Sequence, residues 1–119
     1  MRKPARLVLA ASVVAAILGT TAVPSIANAA DAANGKKIAL DRKKGNCYAC
    51  HAFEGANEPG NIGPPLVAMK ARYPDKAKLR AQIWDATKAN ANTMMPPFGR
   101  HQILSEKEID DVAEWVSTL

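Results

Sequence analysis

Apolar residues run from Leu7 to Leu18 with a single serine among them, and beyond that block the hydrophobic positions become periodic rather than continuous. Ile109, Val112, Ala113 and Val116 recur at i, i+3, i+4 and i+7, the stripe of an amphipathic helix, and Trp115 and Leu119 widen it. Ser105 and Glu108 have capping-box spacing just before the stripe, with Leu104 and Ile109 at the hydrophobic-staple positions, so this terminal helix has a marked start. Leu79, Ile83 and Ala86 fall at i, i+4 and i+7 behind Pro74-Asp75, which predicts a second helix with Asp75 as its cap. A third is predicted from about Asp31 to Arg42, opening behind an Asp cap and stopping before Lys43-Lys44-Gly45. Gly35 inside it costs helix stability, which is expected where another helix crosses closely; the terminal helix is the expected neighbour. With no alternating strand pattern, internal repeat or low-complexity segment, the chain reads as all-α with long connections.

The apolar block has its own meaning. Arg2, Lys3 and Arg6 precede it and Ala27-Asn28-Ala29 follows it as an A-x-A-like cleavage site, the arrangement of a secretory signal peptide. The run is too short for a bilayer-spanning helix, which needs about 20 residues, and Thr20, Thr21 and Pro24 interrupt its continuation. The expected organisation is therefore a cleaved signal over residues 1–29 and one domain over 30–119, with no membrane span in the mature chain. Cleavage changes the charge argument as well. The full chain carries +5, but without the three basic residues of the signal 13 Lys and Arg face 11 Asp and Glu, leaving +2. The basic balance is thus mostly the signal's and does not point to nucleic acid. Lys36, Lys37, Lys43 and Lys44 are expected to be a solvated face, with a docking patch as the sharper alternative.

The remaining domain is small enough that its core needs a staple, and the chemistry-bearing residues suggest which. Cys47-Tyr48-Ala49-Cys50-His51 holds the only two cysteines and one of the two histidines, in the C-x-x-C-H pattern of c-type haem attachment. Thiols one helical turn apart can each add across a vinyl group of one haem, and the adjacent imidazole then lies under the iron. Cys47 and Cys50 are the predicted anchors of one covalent haem c, and His51 is the predicted axial ligand. A zinc site is the competing reading, but it usually wants four ligands and the chain offers no second pair. A dithiol redox motif usually follows a strand, and none precedes Cys47. A ligating histidine needs a partner for its other ring nitrogen. In the proline-rich loop Ile62-Gly63-Pro64-Pro65-Leu66, whose prolines lack N–H donors, the Pro64 carbonyl is the candidate.

A second axial ligand should come from far along the chain, on a stiff loop. Thr93-Met94-Met95-Pro96-Pro97-Phe98-Gly99 supplies one, and Met95, directly before Pro96, is preferred to Met94. Met69 is taken as core filler, Trp84 as core or cavity wall, and His101 as a surface histidine that remains the rival ligand.

Gly45-Asn46-Cys47-Tyr48-Ala49-Cys50-His51, Ile62-Gly63-Pro64-Pro65, Thr93-Met94-Met95-Pro96-Pro97-Phe98 and the terminal-helix run from Ile103-Leu104 stand in the order seen in class I cytochromes c. More narrowly, the chain resembles the SoxX family, the small monohaem subunits of the SoxAX sulfur-oxidation cytochromes, from Gly35 to Leu119. The resemblance implies a small class I cytochrome c fold, helices wrapped around one covalent haem, in a periplasmic electron carrier. It implies a SoxA-like dihaem or monohaem cytochrome as partner, a sulfur-carrier protein met indirectly, and a downstream electron acceptor. No Ser-His-Asp set or spare nucleophile is apparent, so the chain is expected to have no catalytic residues of its own. Its implied place is as the electron-accepting subunit of an L-cysteine S-thiosulfotransferase complex. A free soluble shuttle to an oxidase or photosynthetic centre is the alternative, and a haem sensor a third reading.

Overall fold

A computed structural model describes residues 29–119; the predicted signal segment, apart from its last residue, lies outside the described residues. Among the described residues there are four α-helices, α1 (Ala32–Leu40), α2 (Met69–Arg72), α3 (Lys76–Trp84) and α4 (Glu106–Val116), with one-turn 3₁₀ segments at Cys47–Ala49 and Ala86–Lys88. There is no strand among the described residues, and no described helix is long and apolar enough to cross a membrane.

The caps explain where the helices start. Asp31 accepts from the backbone N–H groups of Ala33 and Asn34, Asp75 from that of Ala77, and Ser105 and Glu108 form the reciprocal capping box of α4. Each satisfies amides that have no partner within their own helix. α1 ends at Leu40, two residues before the predicted Arg42, as the chain turns through 42–45 and Gly45 donates back to the Ile38 carbonyl at 3.1 Å. α3 ends at Trp84, so Ala86 of the predicted stripe is buried but belongs to the following 3₁₀ turn.

α4 is the centre of the molecule. Ile109, Val112, Ala113, Trp115 and Val116 are all buried, and the helix packs against both α1 and α3. Gly35 makes the α1 crossing possible, since a Cβ there would collide with the Asp111 carbonyl of α4. The crossing is also polar. Asp111, fully buried, accepts from the Asp31 N–H at 2.7 Å and the Asn34 amide at 2.8 Å, and pairs with Lys107 one turn earlier. Burial pushes its pKa up, but those hydrogen bonds outweigh it and hold the carboxyl below its usual value. Phe53 packs edge-on to Trp115 with ring centroids 5.1 Å apart, so the loop after the cysteine motif joins the same core. Outside, α3 is held to α4 by Arg80 with Glu106 and Asp110 and by Lys76 with Glu114.

Candidate functional site

Around this core the loops enclose a cavity of about 640 Å³, within the usual range for a cofactor site. Cys47, Cys50 and His51 line it, as do Met94 and Met95 from the second proline-rich loop and the core residues Leu79, Ile83, Leu104, Val112 and Val116. Segments 45 residues apart in sequence are thus brought to one space, enclosed mainly by aliphatic side chains.

The cysteine segment is shaped by its backbone. Asn46 sits in the left-handed region at φ 47, a conformation its side-chain type tolerates better than most, and turns the chain into the 3₁₀ segment. The His51 N–H then donates to the Cys47 carbonyl at 2.9 Å, closing one helical turn across the motif. A ladder of 2.8 Å bonds follows: Gly60, Gly63 and Leu66 donate to the carbonyls of Tyr48, Cys50 and Ala52. This lays the proline loop along the motif, with Gly60 against the Ala49 carbonyl and Gly63 against the imidazole of His51. The reward is a contact at 2.6 Å between His51 Nδ1 and the Pro64 carbonyl, the partner expected from sequence. With Nδ1–H donated there, Nε2 is the nitrogen left to act as a ligand.

Burial, outweighing a lowering backbone hydrogen bond, pushes the Cys47 thiol up to about 11. Among the described residues no group of three or more His, Cys, Asp or Glu side chains gathers as a metal site. Two thiols and an imidazole at the wall of a large, largely apolar cavity fit the macrocycle that the motif implies better than they fit a small ion.

On the other loop, Met95 is half-buried and packs against the core cluster, with its N–H on Thr93 Oγ1 at 3.2 Å, whereas Met94 is 77% exposed. His101 is exposed and is not part of the cavity lining. Met69 is buried, as expected of core filler, and its edge also reaches the cavity. Trp84 is partly buried against the core and is not among the residues lining this cavity: it packs beside Gly99, with the Arg80 guanidinium 5.5 Å from its ring centroid. Of the four lysines, Lys36, Lys37 and Lys43 are solvated, while Lys44 pairs with Glu108 and borders the cavity. Arg42, which donates to the Tyr48 hydroxyl at 2.7 Å, and Arg72, which donates to the Pro65 carbonyl at 2.8 Å, also border it and had no distinguishing signal in sequence.

Known proteins agree with this architecture. The cytochrome c family matches the chain over residues 32–119. An uncharacterized lipoprotein of Aquifex aeolicus (strain VF5) is 33% identical over 75 residues, which are 62% of this chain; the chain spans only 36% of the length of that relative. Among solved structures, the crystal structure of SoxXA from P. pantotrophus superposes with a TM-score of 0.68 at 27% identity, covering 75% of this chain and 81% of the matched one. Cytochromes c are electron-transfer proteins built around covalently held haem c, and the helices, cavity and cysteine motif found here are those such a protein needs. The chain belongs to the cytochrome c family, as a class I member that resembles SoxX.

Proposed function

We propose that Cys47 and Cys50 carry one haem through two thioether bonds, with His51 Nε2 and the Met95 thioether as its axial ligands. The single observation that carries this is the meeting of Cys47, Cys50 and His51 with Met95 at one cavity, His51 Nδ1 being occupied by the Pro64 carbonyl. When bound, the haem supplies a one-electron redox centre. The chain's residues do the rest: Pro64 fixes the imidazole plane, Pro96 and Pro97 stiffen the methionine loop, and the aliphatic lining keeps water from the centre. A thioether ligand favours the reduced state and raises the potential relative to bis-His ligation.

The mature chain, freed of residues 1–29, works in the periplasm as the SoxX-like subunit of a complex with a SoxA-like cytochrome. There thiosulfate is joined to a carrier-protein cysteine, and the electrons released pass one at a time to this chain and on to a downstream acceptor. The likeness to SoxXA supports this reading, and so does the surface beside the cavity. Ile62, Met94 and Ile103 line the cavity yet are 63%, 77% and 41% exposed. A stable subunit can bury such an apolar rim, whereas a diffusing shuttle relies on charge steering, for which the +2 balance of residues 30–119 offers little.

The native protein should co-elute with a SoxA-like cytochrome in gel filtration at high salt. Its haem should be reduced by thiosulfate only when that partner and the carrier protein are both present. Elution alone, with equal reduction in the partner's absence, would replace this reading with the free-shuttle one.

A further inference from the structure

The loop that carries Met95 begins and ends at one place. Trp84 accepts at its carbonyl from the N–H groups of Gly99 (3.0 Å) and Arg100 (3.4 Å), and Gly99 lies flat against the Trp84 ring. Next to Trp84, Asp85 is a buried carboxylate, 3% exposed. Its Oδ1 accepts from the Thr87 N–H at 3.1 Å and the Thr87 hydroxyl at 2.5 Å. Its Oδ2 has no hydrogen-bond partner among the described residues; Arg100 Nε pairs with it at 3.3 Å, and Lys88 acts on the same carboxylate as a second, weaker cation. A buried carboxylate oxygen is costly to leave uncompensated, so this pair ties the two ends of the loop together. The Trp84 carbonyl bonds tie the same two ends, and past Met95 the Pro97 carbonyl accepts from the His101 N–H and that of buried Phe98 from Ile103 and Leu104, but the Met95 segment itself is sparsely held. From Met94 to Phe98 the one backbone hydrogen bond donated among the described residues is Met95 N–H to Thr93 Oγ1, and Pro96 and Pro97 have no N–H to give.

We propose that Asp85 and Arg100 form a clasp that closes the 86–99 loop and thereby holds the Met95 thioether in place, so that opening of the clasp sets how readily the distal ligand is exchanged. Both are positioning residues, neither touching the haem. The inference rests on the Met95 reading. The clasp has a distinctive signature: Arg100 is 51% exposed, so its attraction for Asp85 is open to screening by salt.

The test uses the ferric holoprotein and imidazole as an exogenous ligand, with the rate of imidazole binding followed in the visible spectrum. Arg100→Gln and Asp85→Asn should each quicken binding about fivefold, the scale of a half-exposed charge pair, and Arg100→Lys should fall between them and the native protein. Raising salt should quicken the native protein towards the Arg100→Gln rate and leave that variant almost unmoved. Asp31→Ala, which removes the side-chain cap of α1 away from this loop, serves as a control for general destabilisation. Unchanged rates in Arg100→Gln and Asp85→Asn overturn the clasp, as does an acceleration that merely tracks urea stability in the way Asp31→Ala does. A native protein lacking the near-infrared sulfur-to-iron band removes the Met95 reading and this role with it, whereas an intact band with unchanged rates removes the clasp alone.

Discussion

His51 is fixed by neighbours that leave its ring one orientation: the Pro64 carbonyl at 2.6 Å from Nδ1 and the Gly63 backbone against its face. A Cβ at Gly63 would sit 2.6 Å from Nδ1. On the other loop lining the cavity, the exposures of Met94 and Met95 separate two neighbouring thioethers that sequence alone distinguishes only through Pro96. Met95→Leu should therefore abolish the weak near-infrared band of the oxidised protein while Met94→Leu spares it; the reverse outcome moves the ligand one residue back, and a bis-His spectrum implicates His101. Asp111 is the residue least visible in advance. It stands in the charged run Glu106-Lys107-Glu108, Asp110-Asp111, which reads as a solvated helix face, and its partners Asp31 and Asn34 lie at the other end of the chain. Because its folded pKa lies below the ordinary value near 3.8, its contribution is present above that value and is lost as pH falls through the lower, folded one. Asp111→Asn should cost about 2–3 kcal/mol at pH 7, measured by urea unfolding. The gap from the native protein should narrow below about pH 4; a gap that stays constant would show that the charge of Asp111 is not what α4 uses.

At the scale of elements, legibility follows from whether the determinants are local. α4, α3 and α1 start where their caps stand in the sequence, because side chain and amide in a cap are two or three residues apart, and α4 and α3 bury the expected Ile109, Val112, Ala113 and Val116 and the expected Leu79 and Ile83. α2 could not be read this way. Its cap position, Ala68, adopts φ 50 without the glycine or asparagine that would announce it, and its first amide is satisfied by the Leu119 carbonyl, 50 residues away. The long connections likewise become definite only through the Tyr48–Gly60, Cys50–Gly63 and Ala52–Leu66 bonds. Gly35 was legible as an anomaly, a glycine inside a helix, and the α1–α4 crossing is its explanation. Gly35→Ala should gain a little helix propensity yet lose net stability by about 1–3 kcal/mol, as overpacking does. A net increase in the urea midpoint would mean that the two helices can move apart at no cost.

For the whole molecule, the helices form a frame around a space that they do not fill, and α4 supplies Val112 and Val116 both to the core and to the cavity wall. A domain of this size with such a cavity should be stable only once the space is occupied, and the covalent haem proposed at Cys47 and Cys50 is the occupant the lining fits. That attachment is the claim on which the axial ligands, the clasp and the electron-transfer role all depend. It is tested most directly by intact-mass measurement of the protein purified from its exported fraction, before and after acid-acetone extraction. The account predicts a chain beginning at Ala30 that carries the mass of one haem in both samples, with the adduct on the peptide containing Cys47 and Cys50. A chain of unmodified mass with two free thiols, or haem that leaves in the extraction, would contradict it.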